Sequence, residues 1–180
     1  MLRITIPANE FWDEVNEEFI YQKGLTLQLE HSLVSISKWE SKWCKAFLGK
    51  QEKTEEEILD YIKCMTLTQN VDPEVYSRLT ADHYKEINAY IEAPMTATFF
   101  SEDKTAQSSR ETVTAELIYY WMIALNIPVE FQKWHLNKLL TLIRVCNIKN
   151  SPPKRRSKRE IMRRNAALNA VRRNRLNSKG

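Results

Sequence analysis

The stretch from Glu116 to Asn150, ELIYYWMIALNIPVEFQKWHLNKLLTLIRVCNIKN, constrains this chain more than any other. It holds two of the five Trp residues, the adjacent Tyr119 and Tyr120, and a dense set of Leu, Ile, Val and Met, so it has more apolar area to bury per residue than any other segment. Pro128 turns Ile127 away from helical dihedrals, and the spacing therefore predicts a helical hairpin. Its first helix should run from about Thr114 to Asn126 and its second from near Glu130 to about Cys146. In the second, Phe131, Trp134, Leu136, Leu139, Leu140, Leu142, Ile143 and Cys146 recur at three- and four-residue intervals on one broad face. A bilayer span takes ~20 apolar residues, and the run before Asn126 is far shorter. The hairpin reads as a buried core pair.

The segments before it supply partners of the same kind. Ser32 is a cap for a helix whose stripe is Leu33, Ile36, Trp39, Trp43 and Phe47, with Gly49 ending it. Two Trp at i and i+4 fit core packing better than a binding platform, because Trp buries a large area. Thr54 with Glu57 forms a capping box ahead of Ile58, Tyr61, Ile62 and Met65. Asp72 with Pro73 opens a short helix carrying Val75, Tyr76 and Leu79, and Thr80 opens another with Tyr84, Ile87 and Ile91 that Pro94 closes. Glu102 to Arg110 is polar and aperiodic, which predicts a surface loop.

The N-terminus has a different period. Leu2, Ile4 and Ile6 alternate with Arg3 and Thr5 until Pro7, and Leu25, Leu27 and Leu29 alternate again. Phe19–Gln22 and Leu25–Glu30 flank Lys23 and Gly24, so the expectation is a small antiparallel element with a hairpin across the glycine. FWDEVNEEF is open to a short helical turn as well. Taken together the pattern predicts a mainly α fold: a compact helical bundle over 1–150 with an N-terminal β-hairpin inside 1–30.

Charge divides the chain more sharply than its net value of +4 conveys. Residues 151–180 hold eleven of the 27 Lys and Arg but one of the 23 Asp and Glu, so the tail carries about +10 and the remainder −6. Pro152 and Pro153 make a stiff break before it. Ser157 with Glu160 is a further capping box, predicting a helix from about Lys158 to Asn174 that orders on a partner. Lys154, Arg155, Arg156, Lys158, Arg159, Arg163, Arg164, Arg172, Arg173 and Arg175 are its candidate contact residues. An anionic protein surface and nucleic acid both suit this basic C-terminal helical arm. No bulky aromatic equips it for a membrane.

No motif for catalysis accompanies these features. His31, His83 and His135 are scattered, Cys44, Cys64 and Cys146 lack metal-ligand spacing, and three Gly leave almost no material for a phosphate-cradling loop. The odd number of dispersed thiols suits a reducing cytoplasm. We expect no enzyme activity, no cofactor and no metal.

Three stretches resemble a known group of proteins: ITIPANEFWDEVNEEFIYQKGLTLQLEHSLVSISKWESKWCKAFL, YIKCMTLTQNVDP, and ELIYYWMIALNIPVEFQKWHLNKLLTLIRVCNIKN, together with NAALNAVRRNRLNSKG at the end. They are similar to a small protein found among the tail genes of long-tailed bacteriophages and prophages, with the fold and size of the tail assembly chaperones. The resemblance implies a non-enzymatic helical protein in the bacterial host cytoplasm that binds the tape measure protein, keeps its apolar helices soluble and recruits tail tube subunits. Such chaperones are often made with a longer, frameshifted form. Trp39, Trp43, Phe47, Tyr119, Tyr120 and Trp134 are the aromatic residues expected to line an apolar groove for that client, where they escape the core. Self-association is a further expectation. The alternatives are a nucleic-acid-binding accessory protein that uses its basic arm, and a structural component of the particle.

Overall fold

A computed structural model describes residues 1–14, 17–100, 112–151 and 158–176. The chain forms two compact units, Met1–Asn147 and Ile148–Gly180. The expected loop Glu102–Arg110, the expected cap Ser157 and the candidate residues Lys154, Arg155 and Arg156 lie outside the described residues.

The first unit is mainly helical with antiparallel strands at its N-terminus. Strand β1 (Leu2–Ile6) pairs with β4 (Leu25–Leu29), and β2 (Asn9–Asp13) pairs with β3 (Glu18–Gln22). The expected hairpin across Gly24 therefore does not form, and within FWDEVNEEF residues 11–13 and 18–19 are strand residues of β2 and β3, where a helical turn was the alternative. In both pairs residue n faces residue 31 − n, so the two sheets are one long hairpin in a single register, interrupted once. The interruption has a local cause. Pro7 has no N–H to give a ladder bond, and opposite it Gly24 lets the backbones close in: a Cβ there would sit 3.0 Å from the Ala8 nitrogen and 3.2 Å from the Ile6 carbonyl oxygen. The Arg78 guanidinium caps the break by donating to the Pro7 and Lys23 carbonyls.

Helix α1 (Leu33–Trp43) starts at Ser32, whose hydroxyl accepts from the Ser35 N–H. It ends six residues before Gly49, because Cys44 adopts a left-handed conformation at φ 50°. The buried Glu40 carboxylate holds the chain beyond that turn. One oxygen accepts from the Phe47 N–H at 2.7 Å and the other from the Ala115 N–H, also at 2.7 Å. Helix α2 (Glu55–Met65) has the expected capping box, and a 3-10 helix, Pro73–Arg78, follows. Helix α3 (Ala81–Glu92) starts with a capping box in which the His83 side chain returns to the Thr80 N–H.

Helix α4 (Ala115–Ala124) is the first arm of the expected hairpin. Asn126 at φ 53° ends it, with the Asn126 N–H donating to the Ile123 carbonyl and the Ile127 N–H to that of Met122, a Schellman closure. The second arm is not one helix. Val129–Lys133 is a 3-10 helix, and α5 (Leu136–Asn150) begins only after Trp134 and His135. His135 is held in an isolated antiparallel bridge with Ser32, and the Leu136 N–H donates to the His31 carbonyl at 2.8 Å. A tertiary strand pairing thus breaks a sequence whose apolar spacing is helical throughout.

The core gathers Ile4, Ile6, Leu27 and Leu29 from the strands with Leu33, Ile36 and Trp39 of α1, Ile62 and Met65 of α2, and Ile87 of α3. The α4–α5 segment adds Ala115, Ile118, Met122, Leu136, Leu139 and Ile143, while Tyr120 and Ile123 stay outside. It is one wall of the core and not its centre. The second unit contains α6 (Lys158–Leu176), none of whose described side chains is buried. No described helix is long and apolar enough to cross a membrane.

Candidate functional site

Helices α1 and α2 are joined by a set of polar bonds laid over an aromatic cluster. The Trp39 indole N–H donates to the Glu57 carbonyl at 2.8 Å, and that of Trp43 donates to the Asp60 carboxylate at 3.0 Å. Lys42 pairs with Asp60, and Lys45 with Glu57. Burial works to raise the Asp60 carboxyl, but its bonds from Lys42 and Trp43 outweigh it and hold the group below its ordinary range. The bond from Lys45, with that from the Thr54 backbone, lowers Glu57 likewise. Behind this seam the Phe47 ring lies 4.0 Å from Tyr61 and 5.2 Å from Trp39.

Two imidazoles complete the interior. His31 and His135 stand 5.1 Å apart. The His135 Nδ1 accepts from the Asn137 N–H, so its Nε2 carries the proton and donates to the Tyr90 carbonyl at 3.0 Å. Burial, and then the neighbouring His135, push the His31 pKa down to about 4. Burial lowers His135 as well and raises the Tyr61 phenol, which is hydrogen-bonded to His31, well above its usual value. Both histidines are neutral core residues at pH 7, and no described group of three His, Cys, Asp or Glu is arranged to hold a metal ion.

The exposed side of this cluster opens into a groove of about 880 Å³ between α2 and α3. Its apolar lining is Phe47, Ile58, Tyr61, Tyr84 and Ile91, with Lys53, Glu52 and Glu55 among the charged residues at its edge. The Lys53 ammonium lies over the Phe47 ring, 4.6 Å from its centre. An apolar floor with charges of both signs at the margin can receive the apolar stripe of a helix.

The six expected aromatic residues divide over this frame. Phe47 lines the groove. Trp39 is buried in the core at 1% exposure and reaches no surface, and Trp43 is half-buried along the α1–α2 seam. Tyr119, Tyr120 and Trp134 do not line the groove. Tyr119 donates to Gln132, Tyr120 is exposed, and Trp134 stacks on Phe131 at 3.9 Å, with the Lys138 ammonium over the Trp134 ring at 4.3 Å from its centre. Ile58, Tyr61, Tyr84 and Ile91, which do line it, are visible in the sequence only as apolar faces of α2 and α3. Nothing in their spacing says which part of each face stays open.

Lys158, Arg159, Arg163, Arg164, Arg172, Arg173 and Arg175 are all exposed on α6. At 100° per residue they point to every side of the helix, which has no single basic face. No family model matches the chain, and no curated protein or solved structure matches it.

Proposed function

We propose that this chain is a non-enzymatic assembly factor that shelters the apolar face of a helical partner, in the manner of the tail assembly chaperones it resembles. The groove between α2 and α3 carries this reading: about 880 Å³ of mostly aromatic and aliphatic lining on a body with a highly charged surface. A tape measure protein, long and helical, presents a repeated apolar stripe of the kind such a groove accepts. Lys53, Glu52 and Glu55 among the lining residues would favour a client helix whose flanking charges complement them. In this reading the helices act as a compact bundle in the host cytoplasm, the C-terminal unit is an arm, and tail tube subunits are recruited to the complex.

The test is co-expression with the open reading frames that neighbour its gene, followed by pull-down at low and high salt. The complex should survive high salt, because apolar burial is not screened. Ile58→Lys places a charge at a lining position that is already 37% exposed, so it should weaken capture at least tenfold without unfolding the body. A wild-type chain that neither binds nor solubilises its neighbour would end this reading.

A further inference from the structure

The apolar face of the β-ribbon does not stop where the core stops. Ile4, Ile6, Leu27 and Leu29 point inward from its near half. The register runs unbroken through the Pro7 interruption, so alternation puts Trp12, Phe19 and Tyr21 of the far half on that same face. Trp12 and Phe19 are direct cross-strand partners, their rings 4.8 Å apart edge to face. All three aromatic side chains are uncovered, at 48%, 66% and 63% exposure. A two-stranded ribbon standing alone is marginal in water, and a large aromatic face left open on one marks a surface that is covered in use. Beside it lies a second groove of about 490 Å³, to which Tyr21, Val75, Asp72 and Glu74 contribute. It also holds two cations, Lys23 and Arg78, and the Arg78 guanidinium donates to the carbonyls of the ribbon.

Charge decides what covers it. From Asn9 to Gln22 the sequence has five acidic residues and no Lys or Arg, while in the adjoining groove Asp72 and Glu74 are matched by Lys23 and Arg78, so the negative field is that of the ribbon itself. Two ribbons stacked on each other would repel. The fitting occupant is a basic segment with apolar side chains among its charges. Helix α6 has that chemistry: seven Lys and Arg against Glu160, with Ile161, Met162, Leu168, Val171 and Leu176 all exposed. It contains no aromatic residue on which a nucleic-acid base would stack. A strand of five residues spans ~17 Å, which three turns of helix cover.

We infer that the far half of the β-ribbon, with its adjoining groove, is a docking surface for a basic helix, and that α6 of a second copy of this chain occupies it. The contact joins two different surfaces. Such a heterologous contact propagates from copy to copy unless it closes into a ring. It is small and strongly ionic, so its strength falls steeply with salt. This inference is independent of the client groove between α2 and α3.

Sedimentation velocity of the full chain tests it, over a concentration series at about 0.05 M and about 1 M NaCl, where the Debye length shortens from above 10 Å to about 3 Å. The sedimenting mass should grow with concentration at low salt and return to the monomer at high salt. A triple variant Trp12→Ser, Phe19→Ser, Tyr21→Ser should lose that growth, as should Arg163→Glu with Arg164→Glu, while far-UV circular dichroism stays unchanged. Glu17→Lys with Glu18→Lys should also lose it, and a chain carrying both charge reversals should regain it. A monomer under every condition, including one whose arm folds onto its own body, overturns the inference. So does association that ignores the ribbon substitutions, or an arm variant whose only deficit is the loss of co-purifying nucleic acid.

Discussion

The two units of this protein use helices in opposite ways. In Met1–Asn147 each long helix turns part of its surface into a shared core, and no buried side-chain polar atom among the described residues lacks a hydrogen-bond partner. Helix α6 has nineteen residues, the longest helix among the described residues, and none of its described side chains is buried. Helix α1, with eleven residues, has five buried. Length alone therefore does not measure how firmly a helix is held. The shorter helix is fixed by packing and by the Trp39 and Trp43 bonds to α2. A helix with no buried described side chain draws little from packing, and backbone bonds with propensity are a marginal basis for order in water. The two proposed contacts divide in the same way: apolar burial in the groove of the body should be insensitive to salt, and ionic contact along α6 should be governed by it.

One pair of substitutions with identical chemistry sharpens this contrast. Leu139→Ala removes a side chain at 0% exposure in α5 and should destabilise the body by about 2–5 kcal/mol in urea unfolding. Similar costs for Leu139→Ala and for its counterpart in α6 would mean that α6 is packed as the body is, and would break the comparison.

Acid should act next most strongly, and on the body. Both His31 and His135 are lowered in the folded chain, so the unfolded chain takes up protons first as pH falls. Their contribution is complete above the ordinary histidine value of 6.5 and is lost as pH falls towards about 4, where His31 charges in place. For His31 the full loss is about 3 kcal/mol. Glu57, lowered by Lys45 and the Thr54 N–H, and Asp60, lowered by Lys42 and the Trp43 indole, lose their share only as pH falls below the ordinary carboxylate range. Urea midpoints should therefore decline between pH 7 and pH 5, and the His31→Gln variant should decline less. A flat profile over that interval would remove the buried imidazoles from the account.

The smallest effect is the other half of the leucine pair. Leu168→Ala at 45% exposure in α6 should change stability by less than about 0.5 kcal/mol in dilute protein.

Much of the body is legible before folding because its signals are local. Ser32, Thr54, Asp72 and Thr80 each cap the helix that their side-chain chemistry predicts. The groove is only half legible. The apolar positions of α2 and α3 are periodic in the sequence, but Phe47 joins them from beyond the end of α1, because Cys44 turns the chain and Glu40 ties it down. Of the expected aromatic set, Trp39 went to the interior because burying its ring and bonding its N–H to Glu57 satisfies both ends of the indole at once.

The sequence by itself determined the capped starts of α1, α2, α3 and the 3-10 helix at Pro73, the mainly α class with strands at the N-terminus, and the segregation of acidic residues in 1–150 from basic residues in 151–180. Those depend on residues within a few positions of one another. The tertiary structure alone decided the pairing of β1 with β4, the break at Trp134 and His135, and which apolar faces remain open. Each of these rests on partners far apart in the chain: Leu2 with Leu29, Ser32 with His135, and Glu40 with Ala115. A local pattern specifies that a residue has an apolar or bonding side, and only the assembled neighbours specify what meets it.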